Sequence, residues 1–431
     1  MRPAVVGALQ AVYQQIVDWL VTLVRAPLAG LRGADPVLGL AVVVLAALVL
    51  ASLLHRRARL PRLLGYLLVG AVASPVVLGL LQRTDIDPWK PLIDLAVAAL
   101  VFELGTRLRP RWLFDNPWLA ASSALEALAA GVAVWLVLVL LGAPKASAAA
   151  AAACAAATSP VITMAAFLEA RPRGQVAERL LMLSAINSVL AILAVKLWPV
   201  LAHSQSVSGS ESLTLLASAS VVIFGSLLLG LACGVLLDRL GRLHDEAATM
   251  PVLQLALVIL AALLATAWGL SPFIALLVAG MTARSRMRHR LTVQPYLGSA
   301  GAALTVLLFV SFGVLSTVQD WRALWPWALA IVVARLIGKG AAIFATARPS
   351  GLSWRQATAL TLALQPMSSL SVLLVADSFG WRTPLPGADP GVIQALLIAT
   401  TWMQLSGPLW TLWPLKHIVG EAVDDDEPRE R

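Results

Sequence analysis

Four ionisable side chains lie deep inside apolar stretches of the sequence, and these are the residues best suited to do chemistry: Glu103, Glu126, Arg335 and Lys339. A charge is costly in hydrocarbon, so an ionisable residue at membrane depth is by default a hypothesis for binding or transport. Each carboxylate could carry a proton, and each cationic side chain requires acceptors of its own. The four residues therefore indicate ion or proton chemistry inside a bilayer.

Each carboxylate also has a structural alternative to a role as proton carrier. Glu103 precedes Arg107 by four residues, the spacing at which helical side chains form an ion pair, and the two roles are equally consistent with it. Glu126 lies about one helical turn after Ser122 and Ser123, and this pattern favours a hydrogen-bonded structural carboxyl. Both remain candidate proton carriers.

The composition is that of a membrane protein. Of the 431 residues, 59% are hydrophobic and only 13% are charged, and the mean hydropathy is +0.83. A soluble enzyme needs a far more polar surface, which excludes that class. Cys154 and Cys233 lie in apolar runs, so they indicate neither a disulfide framework nor a metal site.

The net charge of +9 comes from arginines clustered in short loops between apolar runs, as expected of cytoplasmic membrane loops. Nucleic-acid binding is therefore not expected. No HExxH sequence or nucleophile elbow is present, so the sequence predicts neither an enzyme nor a cofactor.

Apolar runs bounded by Pro, Gly and charged residues predict an all-α, polytopic protein. The thirteen predicted crossings are 36–54, 63–82, 91–108, 117–141, 146–169, 179–202, 212–237, 250–268, 271–283, 296–318, 323–347, 355–377 and 391–414. Arginine-rich loops alternate with arginine-poor ones, which predicts an outer amino terminus and a cytoplasmic carboxyl terminus.

The two ends of the chain differ from this pattern. Residues 1–35 form an amphipathic segment that we expect to lie in the membrane interface, with an extra crossing as the alternative. Residues 36–415 form the transmembrane domain, and residues 416–431 are expected to be a short polar cytoplasmic tail.

Two predicted crossings are interrupted at their centres. Thr158-Ser159-Pro160 breaks the fifth, and Gln365-Pro366-Met367-Ser368-Ser369 breaks the twelfth. Each could be an ordinary proline kink, but the twelfth crossing comes seven places after the fifth, an odd number, so the two enter the membrane from opposite sides. This favours two inverted six-helix repeats, crossings one to six and eight to thirteen, with the broken helices crossing near the midplane where transporters bind ions.

Several short stretches resemble the monovalent cation:proton antiporters of the second group, a family that includes bacterial sodium/proton and potassium/proton exchangers. They are Leu60–Gly70, similar to the family's LGYLLAG region, Phe102–Gly105, Ala157–Pro160, Arg173–Gln175, Ala185–Ser188 and Arg335–Lys339. The resemblance covers nearly all of residues 36–414 and implies an exchanger-like membrane domain and a homodimer.

The resemblance also implies where the ion binds. In the family, the sixth crossing carries an Asp-Asp, Asn-Asp or Gln-Asp pair whose last aspartate holds cation and proton in turn. Here the pair is Asn187-Ser188, which lacks that carboxylate. We expect Thr158, Ser159, Asn187 and Ser188 to offer neutral oxygens to a cation, and Glu103, or failing that Glu126, to carry the proton.

Arg335 matches the family's basic residue, whose partner in this chain could be Glu103, Glu126 or carbonyls at helix ends. Lys339, on the same helical face, could instead extend to the membrane surface.

The expected function is exchange of Na⁺ or K⁺ for protons by alternating access, in a bacterial inner membrane. Because Ser188 replaces the aspartate, uncoupled or differently coupled transport, or a transport-inactive regulatory role, remains an alternative.

Overall fold

The computed structural model describes residues 36–58, 60–75, 77–108, 115–202, 209–243, 249–286, 298–315, 321–368 and 389–421. The predicted amphipathic segment 1–35, Ser369 and residues 422–431 of the predicted tail lie outside these ranges.

Sixteen α-helices make up most of the described chain, and no β-strand is present in the same residues. The helices are α1 (Pro36–Ala58), α2 (Arg62–Ala73), α3 (Arg83–Ile86), α4 (Lys90–Arg107), α5 (Pro117–Leu140), α6 (Lys145–Ala156), α7 (Pro160–Ala170), α8 (Gln175–Ala202), α9 (Gly209–Leu243), α10 (Thr249–Ala267), α11 (Pro272–Arg286), α12 (Gly298–Leu315), α13 (Trp321–Ala347), α14 (Trp354–Ala363), α15 (Pro390–Leu405) and α16 (Gly407–His417). The all-α prediction is confirmed.

The helices follow the predicted crossings, with two differences in detail. The second crossing was expected to reach residue 82, but α2 ends at Ala73, because Pro75 disfavours a helical conformation at Ser74. The last crossing is divided at Ser406 into α15 and α16, which are bent by 44°.

Five described helices are long and apolar enough to span a bilayer, and the bent pair α15 and α16 could add a sixth. The protein is therefore a multi-pass membrane protein, while the count of thirteen crossings stays a prediction.

The described residues form two compact units. The smaller comprises residues 36–93 and 306–315, and in it Ala51 of α1 lies directly against Gly65 of α2. The larger comprises the described residues from 94 to 305 and from 321 to 421. All residues of the candidate site described below belong to the larger unit.

The breaks in the two interrupted helices have clear local causes. Helix α7 begins anew at Pro160, with Ser159 as its cap, since the Ser159 hydroxyl accepts a hydrogen bond from the Ile162 amide at 3.3 Å. Helix α14 starts with a capping box between Ser353 and Gln356 and ends at Ala363, three residues before Pro366. The chain is unwound between these points.

The two unwound stretches meet, as the inverted-repeat hypothesis requires. Thr158 and Met367 form an antiparallel β-bridge, and the Ser159 amide donates a hydrogen bond to the Pro366 carbonyl at 2.8 Å. Simple proline kinks would not bring backbones from positions 159 and 366 into contact. The described parts of both broken helices therefore cross, in opposite chain directions.

A glycine permits the close packing of α5 and α13 beside this crossing. A Cβ atom at Gly338 would lie 2.5 Å from the Ala129 carbonyl oxygen, far inside ordinary contact distance. Glycine therefore lets the two backbones approach, and the neighbouring Lys339 reaches α5.

We predict that Gly338→Ala destabilises the protein by about 1–3 kcal/mol, because the added methyl group must push α13 away from α5. Gly340→Ala is the matched control, since its Cβ would lie 3.4 Å from the Thr361 methyl group. Thermal unfolding of the purified protein in detergent measures both. Equal melting temperatures for Gly338→Ala and Gly340→Ala would contradict this packing account.

Candidate ion-binding site

The guanidinium group of Arg335 holds the two broken helices together. It donates hydrogen bonds to the carbonyls of Ala155 at 2.8 Å and Ala157 at 2.9 Å, and to those of Leu364 at 3.0 Å and Pro366 at 3.4 Å. These carbonyls lie at the carboxyl ends of α6 and α14, where a helix carries partial negative charge. Arg335 is fully buried, so it compensates backbone oxygens that hydrocarbon would leave unsatisfied. Of the expected partners, helix-end carbonyls are the ones it binds.

Lys339 lies one helical turn further along α13 and forms an ion pair with Glu126 of α5. Its ammonium group also donates to the carbonyl of Ala156 and to the hydroxyl of Thr158, each at 3.2 Å. The Lys339 and Glu126 side chains are both 0% exposed. The suggestion that Lys339 reaches the membrane surface is therefore wrong, because a buried carboxylate offers it a partner within the bundle.

The second carboxylate oxygen of Glu126 binds Asn187, the first residue of the pair in the sixth crossing. The Asn187 side-chain amide of α8 donates a hydrogen bond to Glu126 Oε2 at 2.5 Å. Asn187 Oδ1 in turn accepts one from the Ser123 hydroxyl at 3.4 Å. Glu126 is thus joined to α13 through Lys339 and to α8 through Asn187. The structure therefore brings one buried carboxylate to the residue pair at which the sequence lacks one.

The hydroxyl groups expected to bind a cation lie at the first break and on α8, and that of Thr158 is linked to Glu126 through Lys339. Thr158 Oγ1 donates to the Leu364 carbonyl at 2.9 Å. Ser188 Oγ lies 2.9 Å from the Ser184 carbonyl and 3.1 Å from the Thr158 carbonyl, so it links α8 to the first break. The Thr158 hydroxyl also accepts a bond from Lys339, and the Ser159 hydroxyl accepts one from the Ile162 amide as the cap of α7. A hydroxyl oxygen has two lone pairs, so each of these oxygens keeps one with which to coordinate a cation.

The second break contributes backbone carbonyls and one polar side chain. Gln365 donates to the Thr361 carbonyl at 2.7 Å, while its own Oε1 is buried and has no hydrogen-bond partner among the described residues. Ser368 is buried at the end of the described stretch, and Pro366 contributes its carbonyl to Arg335 and to Ser159. Ser369 lies outside the described residues.

Glu103 is not part of this cluster in the part of the chain that the structure describes. Its carboxylate accepts a hydrogen bond from Arg107 Nε at 3.1 Å, four residues along the same helix. Arg107 is partly exposed, as expected near a helix end. The geometry is that of the ion pair that the sequence offered as the alternative to proton transport.

Two features of the site were not predicted. Ser123 was recognised only as a neighbour of Glu126, and Lys339 was not assigned to Glu126. The signal for Lys339 was present, because a buried lysine and a buried glutamate in one sequence each require a partner. The sequence does not show that α5 contacts α13. Glu126 and Lys339 are 213 positions apart, so no local spacing relates them.

Among the described residues, no group of three or more His, Cys, Asp or Glu side chains is arranged to hold a bound metal ion. The oxygen atoms that could coordinate a cation at the helix crossing belong to one carboxylate and to amide, hydroxyl and backbone carbonyl groups. Such oxygens suit a transported hard cation.

The sequence model of the family described as "Sodium/hydrogen exchanger, transmembrane" matches residues 43–404. The chain belongs to this family. Membership makes it a membrane antiporter rather than an enzyme, and the resemblance noted in the sequence is confirmed. No curated protein matches the sequence of this exchanger.

Solved structures of the same fold include the sodium proton antiporter MjNhaP1 from Methanocaldococcus jannaschii at pH 8, with a TM-score of 0.68 and 16% identity. The match covers 89% of this exchanger and 99% of that chain. A second structure of MjNhaP1, an electron-microscopy map, matches with a TM-score of 0.68 and 17% identity over 91% and 100% of the two chains. At this identity the likeness establishes the fold.

We predict that Lys339→Gln destabilises the exchanger by roughly 3–5 kcal/mol, because it leaves a buried carboxylate without its cationic partner. Adding Glu126→Gln should restore part of the lost stability, because both side chains of the pair are then uncharged. Thermal unfolding in detergent provides the comparison, with Lys145→Gln at the exposed start of α6 as control, expected within about 0.5 kcal/mol of wild type. Strictly additive losses in the double variant would show that the two side chains are not coupled.

Proposed function

We propose that this exchanger moves a monovalent cation, Na⁺ or K⁺, in one direction and protons in the other, and that Glu126 is the group for which the two compete. The observation that carries the proposal is the buried contact of Glu126 with Lys339 and Asn187 beside the crossing of two broken helices. Exchange through one site requires a titratable group that both ions use, and Glu126 is suited to that role by its position.

Glu126 replaces, in this proposal, the carboxylate that the family carries at the position of Ser188. A carboxylate on α5 that binds the side chain of Asn187 lies next to the same pair of α8 residues. This position reverses the order of preference drawn from the sequence, which placed Glu103 first. Glu103 is instead assigned a structural ion pair with Arg107.

The cation would bind to Glu126 and to neutral oxygens of Thr158, Asn187 and Ser188. These atoms come from α5, α8 and the first break, so a bound cation contacts several elements of one site. Because Lys339 already binds the carboxylate, a cation must displace or share that contact. Binding of a proton to Glu126 would weaken the same ion pair, which couples the two ions through one carboxylate.

Alternating access is proposed from the crossed helices. Arg335 joins the ends of α6 and α14 through four carbonyls, so the two breaks should move together. Such a unit could expose the site to each membrane face in turn, as transporters with broken helices at the midplane do. The arginine-rich loops support an outer amino terminus and a cytoplasmic carboxyl terminus. We propose a bacterial inner membrane as its location. The homodimer stays a prediction.

Uncoupled cation transport is the second candidate function. It is favoured by Ser188, which cannot titrate, and by the ion pair that already occupies Glu126. In that case the cation would cross on neutral oxygens alone, with no proton moving in return.

We predict that a Na⁺ or K⁺ gradient drives a pH change in proteoliposomes containing wild type, and that Glu126→Gln lowers it at least about tenfold. Glutamine keeps the size and hydrogen bonding of the side chain but cannot hold a proton in exchange. Glu103→Gln is the matched control, expected to retain exchange within about threefold. Cation uptake with no pH change in wild type would support uncoupled transport, and full exchange by Glu126→Gln would overturn the assignment of Glu126.

A further inference from the structure

The first turn of α8 is capped by a carboxylate that comes from the carboxyl-terminal end of the described chain. Glu421 Oε1 accepts a hydrogen bond from the Val176 amide at 3.0 Å, and Oε2 accepts one from the Ala177 amide at 2.7 Å. The backbone carbonyl of Glu421 accepts a third from the Arg173 amide at 2.8 Å. The predicted polar tail 416–431 is therefore not a free end at its start, since α16 runs to His417 and Glu421 is bound to α8.

Glycine at position 174 makes room for this carboxylate. A Cβ atom added at Gly174 would overlap the Cγ and Cδ atoms of Glu421, so a larger residue cannot coexist with the docked side chain. The position just before α8 also lacks the Ser, Thr, Asp or Asn that commonly caps a helix, because it is Gly174. Glu421 supplies from a distant part of the chain the acceptor oxygens that a local cap would provide.

The same short segment is tied to the second broken helix. Arg355, in the first turn of α14, donates a hydrogen bond from its guanidinium group to the Ile418 carbonyl at 3.0 Å. The Glu421 amide in turn donates to the Leu415 carbonyl of α16 at 2.7 Å. Residues 418–421, which we call the clasp, thus connect the end of α16 with the starts of α8 and α14.

The clasp acts on helices that carry the site. Helix α8 bears Asn187 and Ser188, and α14 leads into the break whose carbonyls bind Arg335. Free amides at the start of a helix are compensated by an anion, and loss of that anion lets the first turn open. Opening of the first turn of α8 would loosen the helix that holds Asn187 against Glu126.

We propose that Glu421 is a positioning residue for the ion site: by clasping the start of α8 it holds Asn187 in place and so sets the apparent affinity for the transported cation. The part that concerns cation affinity rests on the function proposed above. The clasp itself does not, and the two can be tested separately.

Opening of the clasp can be measured without transport. Both native cysteines, Cys154 and Cys233, are buried, so a maleimide reagent would react mainly with a cysteine introduced as Val419→Cys. Glu421→Ala removes the carboxylate, and Gly174→Ala leaves it intact but fills its place. Each should speed labelling by about threefold to thirtyfold, the range expected for loss of a helix cap.

Because both substitutions open the same contact, the double variant Gly174→Ala/Glu421→Ala should label no faster than the faster single variant. Glu178→Ala is the control, since it removes an equal charge from the first turn of α8 at an exposed position. Unchanged labelling in either single variant, or rates that multiply in the double variant, would overturn the clasp.

The effect on the site is read from the kinetics of exchange in proteoliposomes. Glu421→Ala and Gly174→Ala should each raise the KM for the cation at least about threefold and change kcat less than about twofold, since the chemistry at Glu126 is untouched. A clasp that opens with no change in KM would overturn the positioning role. Absence of exchange in wild type would count against the proposed function, while the labelling result would still decide the clasp.

Discussion

The structure around the helix crossing depends on compensation of buried charge. Breaking two helices inside a membrane leaves carbonyl oxygens without partners, and hydrocarbon offers none. Arg335 and Lys339 supply the missing donors from one helix, α13, to carbonyls of both breaks and to Thr158. Two buried cationic groups in turn require negative charge, which Glu126 and the helix carboxyl ends provide. Glu126 is therefore part of the same balance that allows the helices to break.

This dependence places a carboxylate of α5 against Asn187 of α8. Asn187 reaches Glu126 across the interface of the two helices, so both the amide and the carboxylate belong to one hydrogen-bonded cluster. Close packing of α5 on α13 at Gly338 brings the third member, Lys339, into contact. The positions of these three side chains rest on helix packing rather than on any local motif, and a change at one of them should be felt by the other two.

Much of the fold could be predicted from the sequence, because membrane helices are recognised by local sequence patterns. Apolar length located the helices, and Pro160 and Pro366 with their polar neighbours located both breaks and their meeting. The choice between Glu103 and Glu126 could not be made in this way. An i, i+4 spacing shows that Glu103 can reach Arg107, but no spacing shows that residue 126 meets residue 339 or residue 187. The docking of Glu421 on α8 was hidden for the same reason, since its partners lie about 245 positions earlier.

Competition between a proton and a cation at Glu126 is the central claim, and proton release tests it most directly. Purified wild type in detergent and weak buffer should release protons when NaCl or KCl is added, compared with an equal concentration of choline chloride. The measurement is repeated over a series of starting pH values, because release requires a pH low enough for Glu126 to have taken up a proton. If the two ions compete at Glu126, this release should be lost in Glu126→Gln and kept in Glu103→Gln. Undiminished proton release from Glu126→Gln would contradict it.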